Sequence, residues 1–585
     1  MNKKKISKKF KGIAVAPGIA LGDVSLYAGK KLNIQEFTVP IKDLNKEVKR
    51  FRSTVSSIIT DLKQTLTLAE KQYSSDITSI FEAQIILLQD EIFLKEIDDG
   101  IIQQRRNAEF VVYNIFKERQ DYFSKQESEY FRDRALDLQA LKRQIITELQ
   151  GPVKTPILTK VSIVVAPDLS PQETLNFDRR KTLAFAIDHG GKTSHTAILA
   201  RSLEIPCVVG LHNFSTIARE GDILIVDGTE GVVYLNPSQE IISRYKERQL
   251  RYEKLETDLL QNALLPVETK QGIEIELLAN LELQDETQAV KHVGAKGVGL
   301  LRTEGLFIEQ GKIPPEEAQV KLYTKISKAV YPLPITIRTI DIGGDKTISQ
   351  LAFPPESNPF LGWRAIRFCL DSPIIFKEQL RAILRASGKV KSIKIMFPFI
   401  TCVEEIRKSK VIVEECKAEL KSESLAFNPD IEIGIMIETP AAALMGEVFS
   451  SEVDFFSIGT NDLTQYIMAV DRGNDKIADL YSHYFPGVLQ MIQKVLRDGQ
   501  KANIPVSICG EMAGDPLATV LLLGLGIRIF SAAPVMLPTI AGIIRETSLK
   551  NAERLANKVL GMDSAITVES YLKRYMQKNY SHIMH

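Results

Sequence analysis

Eight short apolar runs recur through the second half of this chain, and nearly every one ends in Arg, Asn, Asp, Glu or Cys. They read IEIELLAN (273–280), GVGLLRT (297–303), ITIRTID (335–341), IKIMFPF (393–399), IEIGIMIE (431–438), DFFSIGT (454–460), IPVSICGE (504–511) and IRIFSAA (527–533). A helix-length segment of 3.6-residue period separates each run from the next, which is the alternation of parallel βα units. Eight such units suffice to close a (β/α)8 barrel. Polar and charged residues gathered at its strand ends point to a site that handles anions.

The remaining chain is organised differently. At 585 residues it is too long for one core, and its 44% hydrophobic content supports three or four domains. Between residues 36 and 150 strand signals nearly vanish, while LNKEVKRFRSTVSSIITDLKQTL (44–66) and ITSIFEAQIILLQDEIFLKEI (77–97) carry the helical period. Strand signals return at SIVVAP (162–167), LAFAID (183–188), PCVVG (206–210), DILIVDG (222–228) and VVYL (232–235). The expected organisation is an α/β domain of residues 1–35 and 151–237, interrupted by an all-α insertion at 36–150. A charged helical linker at 238–268 then leads to the barrel, 269–585.

Composition excludes several classes. Against 74 basic residues stand 73 acidic ones, a formal net charge of +1, so no global field favours nucleic acid or membrane. Five cysteines, Cys207, Cys369, Cys402, Cys416 and Cys509, lack the spacing of a zinc site or disulfide framework and suit a reducing cytoplasm. The basic start with GIAVAPGIALG (12–22) imitates a signal peptide, but Pro17 and the glycines favour a bent strand pair, and no apolar run is long enough to span a bilayer.

A nucleophile stands in GGKTSHTAILARSLEIPCVVG (190–210), where a glycine pair follows strand LAFAID and His195 falls in the first turn of the next helix. A helix N-terminus presents free N–H groups to phosphate and disfavours imidazolium, so His195 is expected to be neutral and nucleophilic near pH 7. Thr193 and Ser194 offer capping hydroxyls, and Arg201 follows about two turns on. A capping histidine in an ordinary strand–glycine–helix turn is the plainer alternative for this segment.

At this segment the chain resembles the enzyme I family of the bacterial phosphoenolpyruvate-dependent sugar phosphotransferase system. APGIALG, IFEAQIILLQDE, APDLSPQET and most barrel strand ends carry the resemblance along nearly the whole length. It implies that His195 takes the phosphoryl group of phosphoenolpyruvate and passes it to a histidine of the carrier protein HPr. It further implies a homodimer formed through the barrel and a helical insertion that docks HPr; the acids of that insertion, Glu82, Asp90, Glu91 and Glu129 among them, are expected to attract a basic rim on the carrier. Lys192, where many relatives have Arg, and His189 are small departures.

The substrate carries a phosphate and a carboxylate, so its site must gather cations. Arg302 in GLLRTEGLF, Arg338 in TIRTIDIGGDK and Arg364 in NPFLGWRAIR are the candidate clamps, since guanidinium forks match both anions. Glu438 and Asp462, at adjacent strand ends, suit magnesium, which accepts one or two protein oxygens and otherwise keeps water and substrate. A thiol at Cys509 could protonate the enolate left when phosphate departs. The resemblance implies Glu438 and Asp462 as the magnesium ligands, Asn461, Arg472, Arg338 and Arg302 as substrate ligands, and Cys509 as the proton donor. Trp363 is expected to anchor the loop of Arg364, and the final strand end, IFSAAPVMLP (529–538), departs from the family's run.

The nearest rival, a dikinase or phosphoenolpyruvate synthase, needs a nucleotide-binding domain, and no stretch remains to form one. Nor does a P-loop pattern occur. A regulatory protein whose phosphorylation state is its output is the rival of another class. It is disfavoured by the complete catalytic set and by the lack of a visible N-terminal sensory domain.

Overall fold

The structure, a computed structural model, describes residues 7–27, 34–72, 81, 84–124, 138, 141–151, 160–169, 173–174, 177–191, 194–203, 205–282, 286–309, 313–343, 356–472, 474, 477 and 480–583. The chain divides into two compact units, Met1–Arg251 and Tyr252–His585.

In the first unit, strands from both sides of the helical stretch share one eight-stranded sheet. They are β1 (Lys8–Lys11), β2 (Ile13–Ala16), β3 (Ile19–Leu26), β4 (Ser162–Ala166), β5 (Thr182–Ile187), β6 (Cys207–Val209), β7 (Ile223–Asp227) and β8 (Val232–Leu235). Their order is β1-β8-β7-β3-β4-β5-β6-β2. Strand β4 is buried at all of its positions because both sheet faces are covered. Val164 and Ala166 pack with Phe185, Ile187 and Val209 on one face, while Ile163 and Val165 pack with Ala184, Ala186 and Val208 on the other. This is the two-residue alternation of a strand, doubled.

Helices Leu44–Gln72, Glu91–Gln104 and Ala108–Ser124 build a separate core around Phe51, Phe93, Ile97, Val112 and Phe116. Two of the acids expected to meet HPr already serve this unit. Asp90 caps helix Glu91–Gln104 by accepting from the N–H groups of Ile92 and Phe93, and Glu91 pairs with Arg52 at 3.0 Å. Glu82 and Glu129 lie outside the described residues.

The second unit is a closed barrel of eight parallel strands: β9 (Glu276–Leu281), β10 (Val298–Leu301), β11 (Ile335–Arg338), β12 (Ile393–Phe397), β13 (Ile433–Ile437), β14 (Phe455–Gly459), β15 (Val506–Cys509) and β16 (Ile529–Ala532). Each expected run matches one strand, β9 passing the end of its run by one residue. Closure comes from β16 pairing with β9, Ile529 beside Glu276 through Ala532 beside Ala279. Asn280 and Ser531 reinforce that seam, Ser531 Oγ bonding Asn280 Oδ1 at 2.5 Å and Asn280 Nδ2 donating to the Ser531 carbonyl at 3.1 Å. Leu300, Met396, Met436, Phe455 and Cys509 pack together in the barrel interior. Outward-facing strand residues such as Ile337, Ile395, Ile435 and Ile458 join the helices in the large surrounding core. Trp363 packs edge-on against Phe368 at 5.1 Å, as an anchor for the Arg364 loop should. Among the described residues no helix is long and apolar enough to cross a membrane.

Candidate active site

Helix His195–Ser202 follows β5 through a tight turn in which Gly190 has φ +112°, a value that favours glycine. Ser194 is its N-cap, accepting from Ala197 N–H at 3.4 Å while its hydroxyl donates to the Gly191 carbonyl at 2.9 Å. His195 is therefore the first helical residue, where backbone N–H groups lack partners within the helix. The buried Thr196 hydroxyl donates to the Leu169 carbonyl at 3.0 Å and pins the helix to the loop after β4. Arg201 turns back on its own helix, Nε donating to the Ala197 carbonyl at 3.3 Å. Lys192 and Thr193 lie outside the described residues.

The barrel unit holds a cavity of ≈ 700 Å³ at the C-terminal ends of its strands. Arg302, Arg338, Glu438, Asn461, Asp462, Arg472 and Cys509 all line it. Parallel strands deliver their last residues to one rim, so chain segments more than 200 residues apart converge there. Arg338 and Cys509 end β11 and β15, Glu438 follows β13 by one residue, and Asn461 and Asp462 open helix Thr460–Met468 after β14. Arg364 is placed differently. It is 2% exposed, absent from the cavity wall, and committed to Asp341 at 2.9 Å and Asp462 at 3.0 Å.

Asp462 also receives Arg472 at 3.0 Å on its other oxygen. Arg338 pairs with Glu304 at 2.9 Å and Asp341 at 3.3 Å, while Arg302 pairs with Glu282 at the cavity edge. Burial alone would lower the Arg338 pKa, but Glu304, Asp341 and Glu438 reverse the sign and hold its charge. The buried Arg338 Nε has no hydrogen-bond partner among the described residues.

Glu438 shows the complementary imbalance. Its Oε1 accepts the Phe399 N–H at 2.6 Å, yet burial, together with Asp462 and Asp341, pushes its pKa up to about 8. A buried carboxylate beside two others asks for more positive charge than the arginines provide. Glu438 and Asp462 are thus the two carboxylates that could hold a hard divalent cation, which would take its other ligands from water and substrate. Among the described residues no group of three or more His, Cys, Asp or Glu is placed to hold a metal. Cys509 is 2% exposed, and burial pushes its thiol up to about 11, with the Ser457 hydroxyl bond opposing. It is therefore a protonated thiol at neutral pH.

Several contributors were missed by inspection of the sequence. Asp341 follows β11 and obeys the same strand-end rule that singled out the arginines. Glu511 closes on Asn461 from both sides, its N–H donating to Asn461 Oδ1 at 2.9 Å and its carboxylate accepting from Asn461 Nδ2 at 3.3 Å. Phe399 and Tyr466 carry no chemical signal in sequence and emerge only through their contacts with Arg364.

Three family models match in chain order: "PEP-utilising enzyme, N-terminal" over residues 11–134, "PEP-utilising enzyme, mobile domain" over 158–231 and "PEP-utilising enzyme, PEP-binding domain" over 257–549. The barrel and its anion-lined cavity thus fall within the third. Phosphoenolpyruvate-protein phosphotransferase of Buchnera aphidicola subsp. Baizongia pistaciae is 38% identical over 575 residues, covering 97% of this chain and 99% of that one. The protein of the same name from Bacillus sp. (strain S) is 37% identical over 97% of this chain and 98% of its own length. That of Haemophilus influenzae is 36% identical over 97% and 99%. The chain belongs to the phosphoenolpyruvate-protein phosphotransferase family.

Proposed function

We propose that this enzyme transfers the phosphoryl group of phosphoenolpyruvate to its own His195, releasing pyruvate, and then to a histidine of HPr, as the first step of sugar uptake by the phosphotransferase system. One observation carries the chemistry: Arg338, Glu438, Asp462 and Cys509 line a single cavity at the barrel rim.

Arg302, Arg338 and Arg472 bind the phosphate and carboxylate, with Asn461 donating to a phosphate oxygen. Arg338 lines the cavity, and its Nε has no hydrogen-bond partner among the described residues, which supports that role. Arg302 and Arg472 exchange their carboxylate partners, Glu282 and Asp462, at least partly for substrate; the Arg302–Glu282 pair is half-exposed and cheap to break, and the buried Asp462 keeps Arg364 as a partner when Arg472 turns to substrate. Arg364 reaches substrate only by giving up Asp341 or Asp462, so its first service is to orient Asp462. Glu438 and Asp462 would hold Mg2+, which when bound neutralises phosphoryl charge.

The imidazole of His195 bonds to phosphorus as the bridging P–O bond breaks, and the electron pair stays on the enolate. Cys509 then delivers its proton to the methylene carbon, forming pyruvate, and the thiolate regains a proton from water. A neutral thiol near pH 7 is the form this step needs. His195 belongs to the first unit and the cavity to the second, so the reaction requires the first to bring its histidine to the second. In this reading residues 36–150 are the HPr-docking part, inserted in the phosphohistidine domain of residues 1–35 and 151–237. A homodimer through the barrel and a cytoplasmic location complete the reading.

With phosphoenolpyruvate, Mg2+ and HPr, the purified chain should release pyruvate in step with HPr phosphorylation. Pyruvate without phosphorylated HPr, or ATP as the required donor, overturns it.

A further inference from the structure

Phe399 touches the supports of both candidate metal carboxylates. Two residues past β12, it has φ +59°, in the left-handed region that bulky side chains rarely enter. Strain of this kind persists where surrounding structure over-determines it, and such positions cluster at functional sites. Here the surroundings are specific. The Phe399 N–H donates to Glu438 Oε1 at 2.6 Å. Its buried ring has the Arg364 guanidinium carbon 4.6 Å from its centroid and that of Arg367 at 5.1 Å, with Tyr466 edge-on at 5.5 Å. Arg364 in turn donates to Asp462 Oδ2 and to the Tyr466 hydroxyl, each at 3.0 Å.

We infer that Phe399 is a positioning residue for the carboxylate pair: its backbone aims an N–H at Glu438, and its ring seats the guanidinium that orients Asp462. This rests on the reading that Glu438 and Asp462 hold a divalent cation. An aromatic face is the feature at stake, because a guanidinium is attracted to the ring quadrupole and gains nothing comparable from an aliphatic chain. An apolar plug, by contrast, would be replaceable by leucine or methionine without consequence for metal binding.

The test uses the full-length chain without phosphoenolpyruvate and Mn2+ as the probe, free ion being followed by electron paramagnetic resonance. Phe399→Leu and Phe399→Met both remove the ring while keeping apolar volume, so one folded variant suffices. Each is expected to raise the Mn2+ dissociation constant about tenfold, and Phe399→Tyr, which restores the face, to stay within about twofold of wild type. Wild-type-like Mn2+ binding by the ringless variants, or Phe399→Tyr binding as weakly as they do, overturns the inference and leaves the function untouched. A wild-type chain that binds no Mn2+ overturns the metal reading itself, and this inference with it.

Discussion

Inside the barrel, Ser457 Oγ donates to Cys509 Sγ at 3.4 Å, so the thiol is held by a neighbour that can bond it without taking its proton. Burial keeps that thiol protonated up to about pH 11, and Cys509→Ala should therefore retain the anion site while losing the acid. Its steady-state pyruvate formation is expected to fall at least about 100-fold, with phosphoenolpyruvate binding within about threefold of wild type. Stopped-flow and equilibrium binding separate the two effects. A parallel loss of binding would assign Cys509 to the wall of the site.

Glu438 makes stability depend on pH and metal together. Its pKa rises from an ordinary 4.5 to about 8 in the fold, so between those values the native state holds a proton that the unfolded chain has released. Metal-free stability from this group is complete below pH 4.5 and is lost as pH climbs toward 8. Thermal unfolding in chelator should show Glu438→Gln gaining on wild type from pH 5 to 8. Mg2+ at 100 times its dissociation constant should add about 2.7 kcal/mol to wild type and little to the variant. A pH-independent difference, or equal stabilisation by Mg2+, would refute this assignment.

Gly510 sits between Cys509, the proposed proton donor, and Glu511, which bonds Asn461. Its φ is +86°, and a Cβ there would stand 2.3 Å from Thr460 Oγ1 and 2.9 Å from Asn461 Oδ1. Gly510→Ala is expected to cost about 2 kcal/mol in denaturant unfolding and to raise the KM for phosphoenolpyruvate by moving Asn461. An unchanged KM would show that Asn461 does not depend on this approach.

The barrel was legible because its strands are buried on both faces and read as continuous apolar runs, and because parallel βα topology sends every strand end to one rim. That rule placed Arg338, Glu438, Asp462 and Cys509 together before any coordinate. It could not distinguish a cation facing the cavity from one packed beneath it. Arg364 has the same chemical identity as Arg338, and only tertiary packing commits it to Asp341 and Asp462 under the wall. Phe399 was invisible for a related reason. Its contribution lies in a backbone dihedral and a ring face, neither of which residue type reveals.

Mass spectrometry under alkaline conditions, after incubation with phosphoenolpyruvate and Mg2+, can locate the phosphoryl group on the intact enzyme. A single acid-labile phosphoryl group on His195, discharged by added HPr and absent from His195→Ala, is the expected result. A phosphoryl group on any other residue, or one acquired by His195→Ala and still passed to HPr, would contradict it.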